Sequence, residues 1–297
     1  MNHPDERSYA DLVSHRADEP TDTPDNPDPG GKVHANQVAA FFDLDKTIIA
    51  RSSTFAFSRP FYQGGLINRR AALRSAYAQL LLLQGGADAD QIERMRAHLT
   101  SLCQGWAVAQ VRAIVDETLH DIVDPLVYLE AAELISEHRT QGHDVVVVSA
   151  SGAEIVAPIA RMLGATHSAA TRMTVADGRY TGAIDFYCYG DNKAVAVREL
   201  AQANGYDLTR CHAYSDSITD LPMLEAVGRP AAVNPNRALR KVAVQRGWPV
   251  LSFSDPVPLR AKIVSPTAGM VAAATAVGLG AVAAGAAWYG IRRRRNR

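Results

Sequence analysis

The stretch FFDLDKTIIA, residues 41–50, decides how the chain is read. Two aromatic residues lead into Asp43 and Asp45, separated only by Leu44, and Lys46, Thr47 and an apolar run follow. Two carboxylates in an apolar, strand-like segment repel each other and resist burial, because each gives up hydration without gaining a counter-charge. A cation or a reacting group that both carboxylates serve makes the arrangement worthwhile. Side chains two apart in a strand share a face, so the spacing predicts Asp43 and Asp45 turned towards one site.

Outward from this stretch the chain alternates in character. VAAFFDLD is short, apolar and aromatic, as a buried strand is. From Thr54 to about His120 the pattern is helical, with apolar residues at three- and four-residue intervals in RAALRSAYAQLLLLQ and ADQIERMRAHLTSL. DPLVYLEAAELISEHRTQGHD reads as a helix ended by Gly142, and VVVVSAS as a central parallel strand. GAEIVAPIARMLG is a helix, and THSAATRMTVADGRYTGAIDF is a hairpin turning at Asp177-Gly178. NKAVAVRELAQANG is a further helix, and RCHAYSDS is a strand running into a loop. This alternation predicts an α/β fold, a doubly wound and mostly parallel sheet. The core is expected over 37–53 and 121–258, with a helical cap inserted at 54–120.

Composition narrows the field. The 297 residues are 47% hydrophobic and 21% charged with zero formal net charge, so no global field argues for nucleic acid. Cys103, Cys188 and Cys211 form no CxxC pair, which supports neither zinc nor redox chemistry and suits a reducing compartment. His98, His120, His138, His143, His167 and His212 show no metal-ligand spacing and read as structural or surface residues. Residues 1–36 are Pro-, Asp- and Gly-rich and are expected to be a disordered acidic tail without a secretory signal. At the other end, 268–291 (AGMVAAATAVGLGAVAAGAAWYGI) carries no charge, ends in Trp288 and Tyr289, and precedes the basic tail 292–297. That pattern predicts a single-pass transmembrane helix anchoring a cytoplasmic catalytic domain. Ala276, Gly280 and Ala284 form a small-residue ridge along which two such helices would pair as a homodimer.

Chemistry in open α/β sheets collects beyond the carboxyl ends of the strands. Four segments deliver polar residues there: DLDKT, then Ser149, Ala150 and Ser151 after VVVV, then Lys193, then SDSITDLPML with Asp216 and Asp220. Singly each has a bland reading: Ser149 or Ser151 as a helix cap, Asp216 and Asp220 as helix-start residues, Lys193 as a solvated side chain, Thr47 as a loop-bonding hydroxyl. As an ordered set, FFDLDKT, VVVVSAS, ADGRYTG, YGDNKAV and YSDSITDLPML resemble the haloacid dehalogenase (HAD) superfamily. The resemblance is narrower to its helical-cap subfamily IB, which includes the phosphoserine phosphatases, and covers roughly Val38 to Asn236.

The resemblance implies a phosphomonoester hydrolase that works through an aspartyl-phosphate. It makes Asp43 the nucleophile and Asp45 the general acid and base. Mg²⁺ would be held by Asp43, Asp45 through its backbone carbonyl, and Asp216. Ser149, backbone groups near Ala150, and Lys193 would hold the phosphoryl oxygens, with Thr47 and Asp220 in support. The substrate is expected to be a small-molecule or lipid phosphomonoester. One departure matters: phosphoserine phosphatases usually carry a Glu soon after the first motif to bind the substrate ammonium, and IIARSSTFAFSRPF has no acidic residue. Lys46 also stands where Ser or Thr is more usual. Alternatives are a phosphoserine phosphatase acting on a soluble metabolite, a phosphotransferase, and a non-catalytic tethered binding module.

Overall fold

Residues Ala39–Asp43 form strand β1 in the computed structural model, which describes residues 37–67, 100, 102–254 and 256. Every residue of β1 is buried, because both faces of the sheet are covered. Ala40 and Phe42 join one apolar cluster with Val145 and Val147, whereas Ala39 and Phe41 join a second with Val146 and Val148. A strand buried on both faces needs the unbroken apolar run seen here rather than polar alternation.

After β1 come helices α1 (Ser53–Ala56), α2 (Ser58–Gln63) and α3 (Val108–Val123), a 3-10 turn at Asp124–Leu126, and α4 (Leu129–Thr140). Strand β2 (Asp144–Gly152), helix α5 (Ala153–Met162) and the hairpin β3 (His167–Ala176) and β4 (Arg179–Phe186) follow. The chain continues with α6 (Asp191–Asn204), β5 (His212–Ser215), a 3-10 turn at Ile218–Asp220, α7 (Leu221–Glu225), β6 (Arg229–Val233), α8 (Arg237–Arg246) and β7 (Val250–Leu251). The strands make one sheet in the order β4-β3-β2-β1-β5-β6-β7. All neighbours pair in parallel except β3 with β4, which are antiparallel. The doubly wound, mostly parallel α/β architecture expected from the alternation is present.

Helix α3 buries Val108, Val111, Val115, Leu119 and Val123, a stripe at three- and four-residue spacing. This stripe packs in the first cluster with Phe57 and Phe61 and with Phe42 of β1, so the helices around 53–63 are tied directly to the central strand. Helix α3 runs unbroken through position 120. Helix α4 stops at Thr140, and Gly142 (φ 75°) makes the left-handed turn into β2 that its position suggested.

The membrane-anchored localisation expected from the sequence is corrected. Among the described residues no helix is long and apolar enough to cross a membrane. The candidate segment 268–291, its Ala276, Gly280 and Ala284 ridge and the tail 292–297 lie outside the described residues, as do the acidic tail 1–36 and the helical expectation over 68–99. The anchor reading rested on the uncharged run 268–291, on Trp288 and Tyr289 at its end and on the arginines that follow. Alanine and glycine supply most of that low polarity, and each contributes little transfer energy.

Phe42 is fully buried and stacks on Tyr214 with ring centroids 4.5 Å apart, while His138 meets it edge-on at 5.9 Å. Replacing Phe42 with Ala is expected to cost about 3–5 kcal/mol of stability, read as a lower denaturant midpoint with an unchanged slope. A loss within about 0.5 kcal/mol, the range of ordinary surface changes, would contradict this packing.

Candidate active site

The strand order turns around at β1, with β2 on one side and β5 on the other. A crevice opens beyond the carboxyl ends of the strands at such a reversal. Asp43 is the last residue of β1, opposite Val148 of β2, and Phe42 lies opposite Tyr214 of β5. Ser149 and Ser215 therefore flank the same strand end as Asp43.

Asp43 shares the strand face of Ala39 and Phe41, which α6 covers. Gly190 precedes α6 with φ 57° and ψ −125°, a conformation glycine tolerates and bulkier residues avoid, and this turn places Lys193 in the first helical turn. Lys193 is 3% exposed. Its Nζ donates to Asp43 Oδ1 at 2.6 Å and to Asp220 Oδ2 at 2.8 Å. Ser215 Oγ donates to the same Asp220 oxygen at 2.6 Å, and Thr47 Oγ1 donates to Asp43 Oδ2 at 3.2 Å. Thr47 thus holds the Asp43 carboxylate itself. Burial opposes the charge on Lys193, but Asp220 and Asp43 outweigh it and raise its pKa, so the ammonium persists at neutral pH. Burial pushes Asp43 well above the usual carboxylate range; Lys193 opposes that rise, while Asp220, Asp216 and Asp45 add to it.

Asp45 has different partners from Asp43. β1 ends at Asp43, and the backbone turns sharply through Lys46 (φ 66°), whose N–H donates to the Ile49 carbonyl at 2.7 Å. Strand alternation therefore does not extend to Asp45. Its Oδ1 accepts from the Ser53 N–H at 2.7 Å, and its Oδ2 accepts from Ser151 Oγ at 3.2 Å and Ser52 Oγ at 3.4 Å. Ser53 Oγ in turn donates to Ser151 Oγ at 2.8 Å. Ser151 reaches Asp45 because the β2–β3 register shifts between Ser149 and Gly152, and such irregularities re-aim side chains. Burial raises the pKa of Asp45, while the Ser53 and Ser151 hydrogen bonds and the Lys193 charge pull it back.

The remaining expected residues lie on the same rim. Ser149 is buried and its Oγ accepts from the Ser151 N–H at 3.1 Å, while the Ala150 carbonyl accepts from Thr171 Oγ1 at 2.7 Å. Asp216 lies just past β5, and its backbone carbonyl accepts from the Asn236 N–H at 2.8 Å. Burial pushes the Asp216 carboxyl up to about 6, with Lys46 pulling the other way and Asp220 adding to the rise. Sequence reasoning named Ser151 only as a strand-end polar residue or helix cap and did not single out Ser53 and Ser215. The paired serines in RSSTF and the second serine of SAS were the visible signals.

Four carboxylates, Asp43, Asp45, Asp216 and Asp220, stand against one buried ammonium, and Asp220 Oδ1 is buried without a hydrogen-bond partner among the described residues. Hard oxygen donors with excess negative charge fit Mg²⁺. Among the described residues the group of three ligand atoms that lie within 4.8 Å of one another is a histidine cluster at the other end of the sheet.

Residues 40–225 match the family described as haloacid dehalogenase-like hydrolase. A protein of Mycobacterium tuberculosis (strain ATCC 25618 / H37Rv) named "Probable phosphatase" is 65% identical over 266 residues, covering 90% of this chain and 93% of its own. A second protein of that strain, named phosphoserine phosphatase, is 32% identical over 268 residues, covering 85% and 87%. A solved structure from Bordetella pertussis Tohama I, described as of unknown function, is 30% identical with a TM-score of 0.64, covering 73% of this chain and 98% of its own. The chain belongs to the haloacid dehalogenase-like hydrolase family. Within it the chain is a phosphatase, a hydrolase of phosphoric monoesters.

Because the folded-state pKa of Asp216 lies above its unfolded value, its favourable contribution to stability is present at low pH and is lost as pH rises through about 6. In chelator-treated protein, Asp216→Asn is therefore expected to melt at least about 2 °C above the parent at pH of about 7.5. The difference should shrink at pH of about 5. Thermal scans at the two pH values read this directly, and a variant less stable than its parent at the higher pH would contradict the burial argument.

Proposed function

We propose that the protein hydrolyses phosphomonoesters through a phosphorylated Asp43. The supporting observation is the Asp43–Lys193–Asp220 contact, which gives one carboxylate a fixed ammonium on one oxygen and a hydroxyl on the other. An Asp43 oxygen attacks phosphorus while the bond from phosphorus to the leaving oxygen breaks. Asp45, which lacks the direct ammonium contact that Asp43 has, gives its proton to that leaving oxygen. Asp45 then takes a proton from water, the water oxygen bonds to phosphorus, and the phosphorus–Asp43 bond breaks. Ser53 and Ser151 keep the Asp45 carboxyl in one orientation through both steps. Lys193, Ser149 and the backbone at Ala150 receive the phosphoryl oxygens. Asp43, the Asp45 backbone carbonyl and Asp216 would hold Mg²⁺, which supplies positive charge against carboxylate repulsion and phosphoryl negative charge.

The surroundings of the crevice support one substrate class over another. No acidic residue occupies 46–59, and Arg51 and Arg59 are exposed. Glu154, in the first turn of α5, is already paired with Arg112 at 3.8 Å and hydrogen-bonded to Tyr180. Among the described residues of 46–59 and at Glu154 an ammonium-bearing substrate finds no uncommitted carboxylate, which favours phosphomonoesters without one. Phosphoserine is the second reading, supported by the 32% identical relative that carries that name.

Phosphate release with Mg²⁺ over a panel of phosphomonoesters, with and without an α-ammonium, tests both parts. Asp43→Asn is expected to lower turnover by about 10³-fold or more, and Asp45→Asn by about 10²- to 10⁴-fold. Turnover by Asp43→Asn near that of its parent removes Asp43 as nucleophile, and a strong preference for phosphoserine reverses the substrate assignment.

A further inference from the structure

A second group of chemically capable side chains lies at the opposite end of the sheet. His138 sits in the last turn of α4, His143 follows the Gly142 turn just before β2, and His212 is the first residue of β5. His212 pairs in register with Ala40, near the start of the same strand whose far end carries Asp43. The three are scattered in sequence, but the turn at 140–143 and the β2-β1-β5 order bring them together. The His143 N–H donates to the His138 carbonyl at 2.9 Å, which fixes the first two relative to each other.

We propose that His138, His143 and His212 form a site for a borderline divalent metal ion, of the Zn²⁺ or Co²⁺ type, separate from the acidic site. One ring nitrogen from each lies within 4.8 Å of the others, and His138 Nδ1 and His143 Nδ1 are 2.9 Å apart. Nitrogens bound to one tetrahedral ion at about 2.0–2.1 Å each stand slightly farther apart than that pair, so small ring rotations suffice. His138 Nε2 lies 2.8 Å from the Tyr214 hydroxyl. A hydrogen bond on the outer nitrogen is the arrangement that orients metal-ligating imidazoles and leaves the other nitrogen's lone pair free. His212 Nε2 is buried and has no hydrogen-bond partner among the described residues, an unmet cost that a ligand would relieve. Burial, joined by the other histidines at His138 and by Arg229 at His143 and His212, keeps all three imidazoles below their ordinary pKa. Neutral imidazole is the form that binds a metal.

The surroundings also set limits. Arg229 and Arg210 face the cluster and oppose a cation, whereas Glu137, close enough to act on Tyr214, favours one. Imidazole donors select Zn²⁺, Co²⁺, Ni²⁺ or Cu²⁺ over Mg²⁺, so the two ends of the sheet would take different ions. In the unliganded state a proton must lie between His138 Nδ1 and His143 Nδ1. Metal entry moves it to His143 Nε2, a tautomer change that releases no net proton.

The full-length protein, stripped by chelator and held in excess Mg²⁺ to fill the acidic site, is titrated with Co²⁺ and followed by visible absorption and calorimetry. One Co²⁺ per chain, displaced by Zn²⁺, is expected. His143→Gln and His212→Gln should each weaken uptake by about ten-fold or more, whereas Asp43→Asn should leave it unchanged. No uptake in the parent protein, or uptake lost in Asp43→Asn and kept in His143→Gln, would overturn the proposal. Should the histidine variants fold poorly, diethyl pyrocarbonate modification of the parent protein reads the same question. Protection of His143 and His212 by Zn²⁺ supports the site, and equal modification with and without Zn²⁺ refutes it.

Discussion

A buried ammonium between two carboxylates governs this molecule. Asp43 and Asp220 keep Lys193 charged in the interior, and its ammonium in turn opposes the effect of burial on Asp43. Removing one member of such a group leaves an uncompensated buried charge, which costs far more than the assembled group contributes. Each member comes from a different part of the chain: the end of β1, the first turn of α6, and the turn beyond β5. The contact can therefore form only when the parallel strands are in register and α6 is seated on the face shared by Ala39 and Phe41. The fold and the chemistry rest on the same three side chains.

Around this group the two acidic residues of the opening stretch are given unequal settings. Asp43 meets an ammonium and a threonine hydroxyl, whereas Asp45 meets a backbone N–H and serine hydroxyls. Carboxyl groups in unequal environments can divide the tasks of attack and proton transfer, as two identical ones cannot. The division arises from the sharp turn at Lys46, a non-glycine residue at positive φ. Backbone held in that region costs energy that surrounding contacts must offset, and functional loops are where it is commonly found.

Much of this was readable in the sequence because it depends on short, local rules. The apolar runs VAAFFD and VVVV became central strands, since a strand covered on both faces tolerates no alternation, and Gly142 closed the helix before β2. Asp43, Lys193, Asp216 and Asp220 stood out because FFDLDKT, YGDNKAV and YSDSITDLPML follow one another along the chain, and the fold brings Asp43, Lys193 and Asp220 into contact. What was not legible depends on irregular geometry or on distance. Ser151 reaches Asp45 only through a register shift that no periodicity announces. His138 and His212 are separated by more than seventy positions yet lie ring against ring, with centroids 4.6 Å apart, because β2, β1 and β5 are neighbours. Spacing along the chain could not show that. The anchor reading rested on the uncharged run 268–291 with its terminal aromatics and arginines, a composition that Ala and Gly make only weakly apolar.

The claim that Asp43 captures phosphorus is tested most directly by stopping a single turnover with acid and locating the phosphoryl group by peptide mass spectrometry. The account predicts the added phosphoryl mass on the peptide carrying FFDLDKTIIA, with fragmentation assigning it to Asp43. A label on Asp45 or Ser149 would contradict it, as would continued turnover with no phosphorylated peptide at any quench time.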